Sequence, residues 1–168
     1  MKRPELIHCT AVFGGGGRFR YSLTREWNTR LDQVCWLMLN PSKATADRDD
    51  PTIRRCIDFS FRWGFGGLVV VNLFAKVATY PAELLHDKNA VGPFNDEAIM
   101  QASSNRPVIC AWGNAFHFGD RVTSVLAMLE RNWRRAHCLG LTSWGHPSHP
   151  LRLAASKRMK PFRPRKAG

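Results

Sequence analysis

Four apolar runs in this chain end in polar or backbone-bending residues, and those ends are where its chemistry is expected. Val34 to Asn40 (VCWLMLN) runs into Asn40-Pro41-Ser42, and Leu68 to Asn72 (LVVVN) stops at Asn72. Pro107 to Trp112 (PVICAW) ends in Trp112-Gly113-Asn114, and Ala136 to Leu141 (AHCLGL) leads on to Gly145-His146-Pro147-Ser148. A polar side chain closing an apolar strand is costly unless it is satisfied or used. For any one of these residues a loop cap is the simpler reading. Four together on one edge point to a shared site.

The elements between these ends fix where they must lie. Asp50-Pro51-Thr52 is a helix start, with a capping Asp and Pro at the first helical position. Ile53, Cys56, Ile57 and Phe61 then repeat at helical spacing through about Trp63, and Gly64, Gly66 and Gly67 stop the helix. Short helices are expected at Pro81-Ala-Glu-Leu-Leu and FNDEAIMQASS. A longer one is expected at DRVTSVLAMLERNW, with Val122, Val125, Leu126 and Leu129 on one face. From Val34 onward strand and helix alternate, which implies right-handed crossovers and a mostly parallel sheet with helices on both faces. In such a sheet ligands bind beyond the carboxyl ends of the strands. Upstream, HCTAVF and RFRYSLTREW flank Gly14 to Gly17 and read as a hairpin. These glycines lack a following Gly-Lys-Ser/Thr and a following helix, so a turn is favoured over a phosphate loop. The expectation is one α/β domain over residues 1–155, with an N-terminal β-hairpin, and a basic tail over 156–168.

Composition narrows the partners. At 168 residues with 44% apolar and 23% charged side chains, the chain can bury one core and is not disordered. No run approaches the roughly 18 apolar residues of a membrane helix, and the N-terminus lacks the pattern of a signal peptide. A cytoplasmic protein with no membrane partner is expected. Net charge is +12, which attracts polyanions, so nucleic acid is the expected partner, DNA before RNA, bound by a monomer. A charge that serves only solubility is the bland alternative. The five cysteines contain no CxxC pair and read as buried, inert thiols.

The same residues admit other chemistries. His146 and His149 could ligate a metal, but no neighbouring Cys, Asp or Glu completes a set. Asp49 and Asp50 could be an acid–base pair; a helix cap beside a solvated loop is favoured, with Asp49 able to approach the cleft. Phe59, Phe61, Phe74 and Trp144 could stack on a base. Core packing is the default for Phe61, while Phe74 and Trp144 flank the motif residues. Ser42 and Ser148 lack the turn and triad order of a hydrolase nucleophile.

In order, Met38-Leu39-Asn40-Pro41, Val70-Val71-Asn72-Leu73-Phe74, Ala111-Trp112-Gly113 and His146-Pro147-Ser148 match four strand-end motifs. With them the chain resembles the uracil-DNA glycosylase superfamily over about residues 34 to 152. The wording MLNPS…VVNLFA…AWG…HPL is closer still to an uncharacterised bacterial and phage family of unknown function. The resemblance implies a three-layer α/β/α sandwich with a mostly parallel central sheet, uracil-DNA glycosylase-like. It implies a hydrolase of DNA repair that flips a damaged or modified base and cuts its glycosidic bond without metal or organic cofactor. The alternative is a noncatalytic module of the same fold that binds nucleic acid or a modified base. Carried over, Asn40 would hold the attacking water and Pro41 shape its loop. His146 would donate to the base oxygen as charge develops there. Ser42, Asn72, Phe74, Trp112 and Gly113 would surround the base, with Asn72 reading it. Pro147, Ser148, Leu151 and Arg152 would contact the strand, Ser148 gripping a phosphate and Leu151 wedging into the vacated stack. Asn40 stands where the fastest members carry Asp, so water would be positioned rather than deprotonated, and turnover should be slow. Ser42 stands where the uracil-specific class carries Tyr, and His149 interrupts the usual Pro-Leu.

Overall fold

The computed structural model describes residues 3–163. The chain is a mixed α/β protein, with a seven-stranded mixed sheet and four α-helices among the described residues. The strands are β1 (His8–Gly14), β2 (Phe19–Glu26), β3 (Gln33–Met38), β4 (Gly67–Asn72), β5 (Val108–Cys110), β6 (Ala136–Cys138) and β7 (Lys160–Pro161). The helices are α1 (Pro51–Arg62), α2 (Ala82–Leu85), α3 (Asn95–Ala102) and α4 (Gly119–Arg131). Spatial order is β1-β2-β4-β3-β5-β6-β7.

The four strands read from alternation lie side by side and parallel, in the order β4, β3, β5, β6. The sheet as a whole is mixed rather than mostly parallel. The N-terminal hairpin is part of it, because β2 pairs antiparallel with β4, Leu23 opposite Val70. The hairpin closes through Gly15, Gly16 and Gly17, all at positive φ, the backbone region that glycine enters without a Cβ clash. The opposite edge carries β7, antiparallel to β6, from within the segment expected to be a tail. Phe162 beside it is buried against the core. Residues 164–168 of that expected tail lie outside the described residues.

Strand alternation divides most of the core into two clusters, beside a small third one of Phe19, Tyr21 and Ala75. Cys35, Leu37, Val69 and Val71 pack with Ile99 and Ala102 of α3 and Val125 and Leu129 of α4. Val34, Trp36, Leu68 and Val70 pack with Ile53, Cys56, Ile57 and Phe59 of α1. Fully buried Trp36 ties β3 to α1: its Nε1 donates to Ser60 Oγ at 2.9 Å, and its ring stacks on Trp63 at 5.7 Å. Helix α1 begins where the sequence says it should, with Asp50 Oδ1 accepting from Ile53 N at 2.9 Å and Pro51 in the first turn. Burial pushes the Cys35 thiol up to about 12, so it stays protonated and unreactive. Among the described residues no helix is long and apolar enough to cross a membrane.

The register aligns the strand ends. Met38 lies opposite Asn72, and the pairing continues past both strands as Leu73 N donates to Met38 O and Phe74 N to Leu39 O. On the other side of β3, Ala111 N donates to Leu37 O. Asn40, Asn72 and Trp112 therefore leave the sheet at one edge.

Candidate functional site

Beyond that edge lies a cleft of about 290 Å³ lined by Asn40, Ser42, Asn72 and Trp112, together with Arg20, Asp50 and His149. Leu39, Ile53 and Val70 form apolar wall, and Thr52 and Thr79 add hydroxyls.

Asn40 is locked by its own amide. Nδ2 donates to Pro41 O at 3.0 Å and to Ala78 O at 2.8 Å, which uses both hydrogens and leaves Oδ1 as the group able to accept from a guest. Pro41 O also accepts from Ala78 N at 3.0 Å, so the loop after β3 is held to the segment after β4. Asn72 is 1% exposed, and its Nδ2 has no partner among the described residues. The Asn72 carbonyl is fixed from below by Asn95 Nδ2, which donates to Asn72 O and Leu73 O, both at 3.0 Å. Trp112 is also buried with its Nε1 unpartnered, its ring edge-on to Phe162 at 6.0 Å. Gly113 follows at φ +72°, donates its N–H to Pro147 O at 2.9 Å, and lies against His149.

The histidine in the cleft is His149, not His146. Its Nδ1 accepts from Leu151 N at 3.3 Å, which assigns the proton of the neutral ring to Nε2. Burial lowers its pKa, opposed by the negative charge of Asp50 and reinforced by Arg152. His146 is carried away by the turn that contains it. Thr142 N donates to His146 O and Gly145 N to Thr142 O, and Leu141 bridges back to Pro147. The His146 ring lies edge-on to Phe116 at 5.2 Å, outside the cleft lining. Chain direction is restored at Ser148, whose N donates to Gly140 O, so the next inward side chain is that of His149.

Other expectations resolve in the same way. Phe74 faces the core, edge-on to Phe118 at 4.9 Å, and does not line the cleft, because β4 ends at Asn72 and the chain bends at Leu73, which breaks the strand alternation. Phe59 is core, and Phe61 packs on Trp27, whereas Trp144 is 71% exposed. Asp49 does not approach the cleft, because buried Arg25 takes its carboxylate at 2.8 Å. Asp50 caps α1, as expected, and is the aspartate that also lines the cleft. Pro147 and Ser148 form the return of the turn. Leu151, 45% exposed, and Arg152 sit on the single 3₁₀ turn Pro150–Arg152 at the surface. Among the described residues no three His, Cys, Asp or Glu side chains gather as a metal site.

Arg20 is the residue that sequence reasoning missed. It is 2% exposed, donates from Nη1 to Ala44 O at 2.8 Å, and leaves Nε without a partner. Burial lowers its pKa to about 10, partly offset by Asp50, so it remains a cation at neutral pH. An arginine in the sequence of a surface hairpin gives no sign of this; it is buried where the start of β2 docks on the segment after β4, its N–H donating to Ala75 O at 2.9 Å.

The model of a family described as a protein of unknown function (DUF1643) matches residues 20–151, which span the hairpin strand carrying Arg20 through to the His149 turn. No curated protein and no solved structure matches the chain.

Proposed function

The chain belongs to the DUF1643 family, and from its cleft we propose that it is a hydrolase that draws an altered base out of DNA and cuts the N-glycosidic bond. The observation that carries this reading is that Asn40 and Asn72, at the ends of adjacent parallel strands, line one small cleft with Trp112. The likeness of these strand ends to those of uracil-DNA glycosylases supports it, as does a reading of α1 and of α3 with α4 as outer layers of an α/β/α sandwich. The +12 charge favours a polyanionic substrate.

In this reading Asn40 Oδ1 holds the attacking water toward the sugar, since its Nδ2 is occupied. Water adds to C1′ as the bond to the base breaks. The electron pair of that bond leaves with the base, and the water proton passes to it. Donors lining a dry cleft stabilise the charge that develops on the base. Neutral His149, with its proton on Nε2, takes the donor role that the resemblance gives to His146. Leu151, projecting from the adjacent turn, fills the space the base vacates.

The test is a panel of oligonucleotides bearing altered bases, scored for alkali-labile abasic sites. The wild type should produce them, and Asn40→Ala should lower the rate by about 100-fold or more while DNA still binds. His146→Ala should retain release. One observation favours a second reading, a noncatalytic binder of modified bases: the residue at the water position is an amide, which cannot take a proton. A blank across the panel with tight DNA binding would select that reading.

A further inference from the structure

Two arginines of β2 are buried almost completely, and they differ in one respect. Arg25 is neutralised by Asp49 at 2.8 Å, whereas Arg20 makes no ion pair among the described residues. The one carboxylate lining the cleft with it, Asp50, is engaged at Ile53 N as the cap of α1. Arg20 Nε, Asn72 Nδ2 and Trp112 Nε1 are all buried N–H groups without partners, and all three residues line the same cleft. Buried donors are paired in the great majority of cases, and each orphan costs about as much as its lost hydration. Three converging on one cleft amount to a site whose acceptors arrive from outside. A buried, unpaired guanidinium adds the requirement that they carry negative charge.

We infer that Arg20 Nε, Asn72 Nδ2 and Trp112 Nε1 form a cluster of donors that binds an oxygen-rich anionic group, with Arg20 as its counterion. Resting on the base-excision reading, that group is the departing base. The electron pair of the broken C1′–N bond spreads onto ring oxygens, and Arg20 holds the charge until the proton released by the attacking water reaches the ring. Bases rich in ring oxygens are then selected over amino-bearing ones, because an exocyclic NH₂ would meet Arg20 and Trp112, which can only donate, with a donor. The burial-lowered but still cationic state of Arg20 is consistent with a site that awaits an anion.

Calorimetric titration of the full chain with free xanthine and urate at pH 8, against adenine and cytosine, tests the donor cluster without requiring turnover. The oxygen-rich purines should bind at least about tenfold more tightly than the amino bases. Trp112→Phe, which deletes the N–H and keeps an aromatic ring, should weaken them by roughly tenfold in a variant that unfolds well above the assay temperature. Arg20→Met should abolish measurable binding, and Arg20→Lys should restore part of it. If Arg20→Met fails to fold, Trp112→Phe still decides. Equal affinity for xanthine and adenine, or unchanged xanthine binding in Trp112→Phe, would overturn the inference. Selective binding lost in the variants, with no abasic sites from any oligonucleotide, would leave the donor cluster standing and remove the excision reading. Abasic sites formed by Trp112→Phe and Arg20→Lys at the wild-type rate, with unselective binding, would do the reverse.

Discussion

At Asn72 a side-chain amide is buried with its two N–H bonds unmet, and the folded state carries that cost whenever the cleft is empty. Replacing it with a similarly sized apolar group removes the cost together with the function. Asn72→Leu is expected to stabilise the ligand-free protein by about 1 kcal/mol, measured by urea unfolding, while base release is lost. A purely structural amide would give the opposite sign. His149 supplies a pH test. Its folded-state pKa lies below the ordinary 6.5, mainly through burial. Its contribution to stability is therefore complete above about 6.5 and is lost as pH falls through the lowered value. His149→Gln should flatten that acid limb of the stability profile. Asn40 and Asn72 were legible because each breaks an apolar run. His149 was not, because which histidine of HPSHP turns inward depends on the hydrogen bonds of the 142–146 turn. Arg20 was illegible for a different reason: its burial follows from docking against a segment distant in sequence, where its N–H meets Ala75 O.

At the scale of elements, α1 positions one wall of the cleft, and two side chains hold it. Trp36 Nε1 depends on Ser60 Oγ as its acceptor. Ser60→Ala would leave that N–H buried and unmet, at an expected cost of about 1–3 kcal/mol in chemical unfolding. Asp50→Ala removes the cap and should cost about 1 kcal/mol, with the added loss of the one carboxylate in the cleft. The start of α1 was readable from Asp50-Pro51 because capping chemistry is local. The four parallel strands were readable because β3 and β4, buried on both faces, must be continuously apolar. Strand β7 was not, since two residues, Lys160 and Pro161, carry no periodicity, and their pairing is fixed by β6 and the burial of Phe162. The mixed character of the sheet escaped for a similar reason: the hairpin pattern specifies the β1–β2 turn but not the strand on which β2 docks.

For the molecule as a whole, the sheet gathers donors at one edge of a strongly basic surface, and the account joins these two facts. Phe162 links the terminal segment to the cleft through its contact with Trp112. Phe162→Ala should cost about 3 kcal/mol in unfolding free energy and release the Trp112 ring. The central claim is that a base leaves its strand for this edge and is cut there. It is tested most directly by single-turnover incubation with end-labelled DNA carrying one altered base, followed by hot alkali and sizing of the products. Scission at that base by the wild-type chain, reduced by about 100-fold or more in Asn40→Ala with affinity for the intact strand retained, is the expected result. Full-length DNA after wild-type treatment across every altered base, from a protein that still binds the strands, would contradict it.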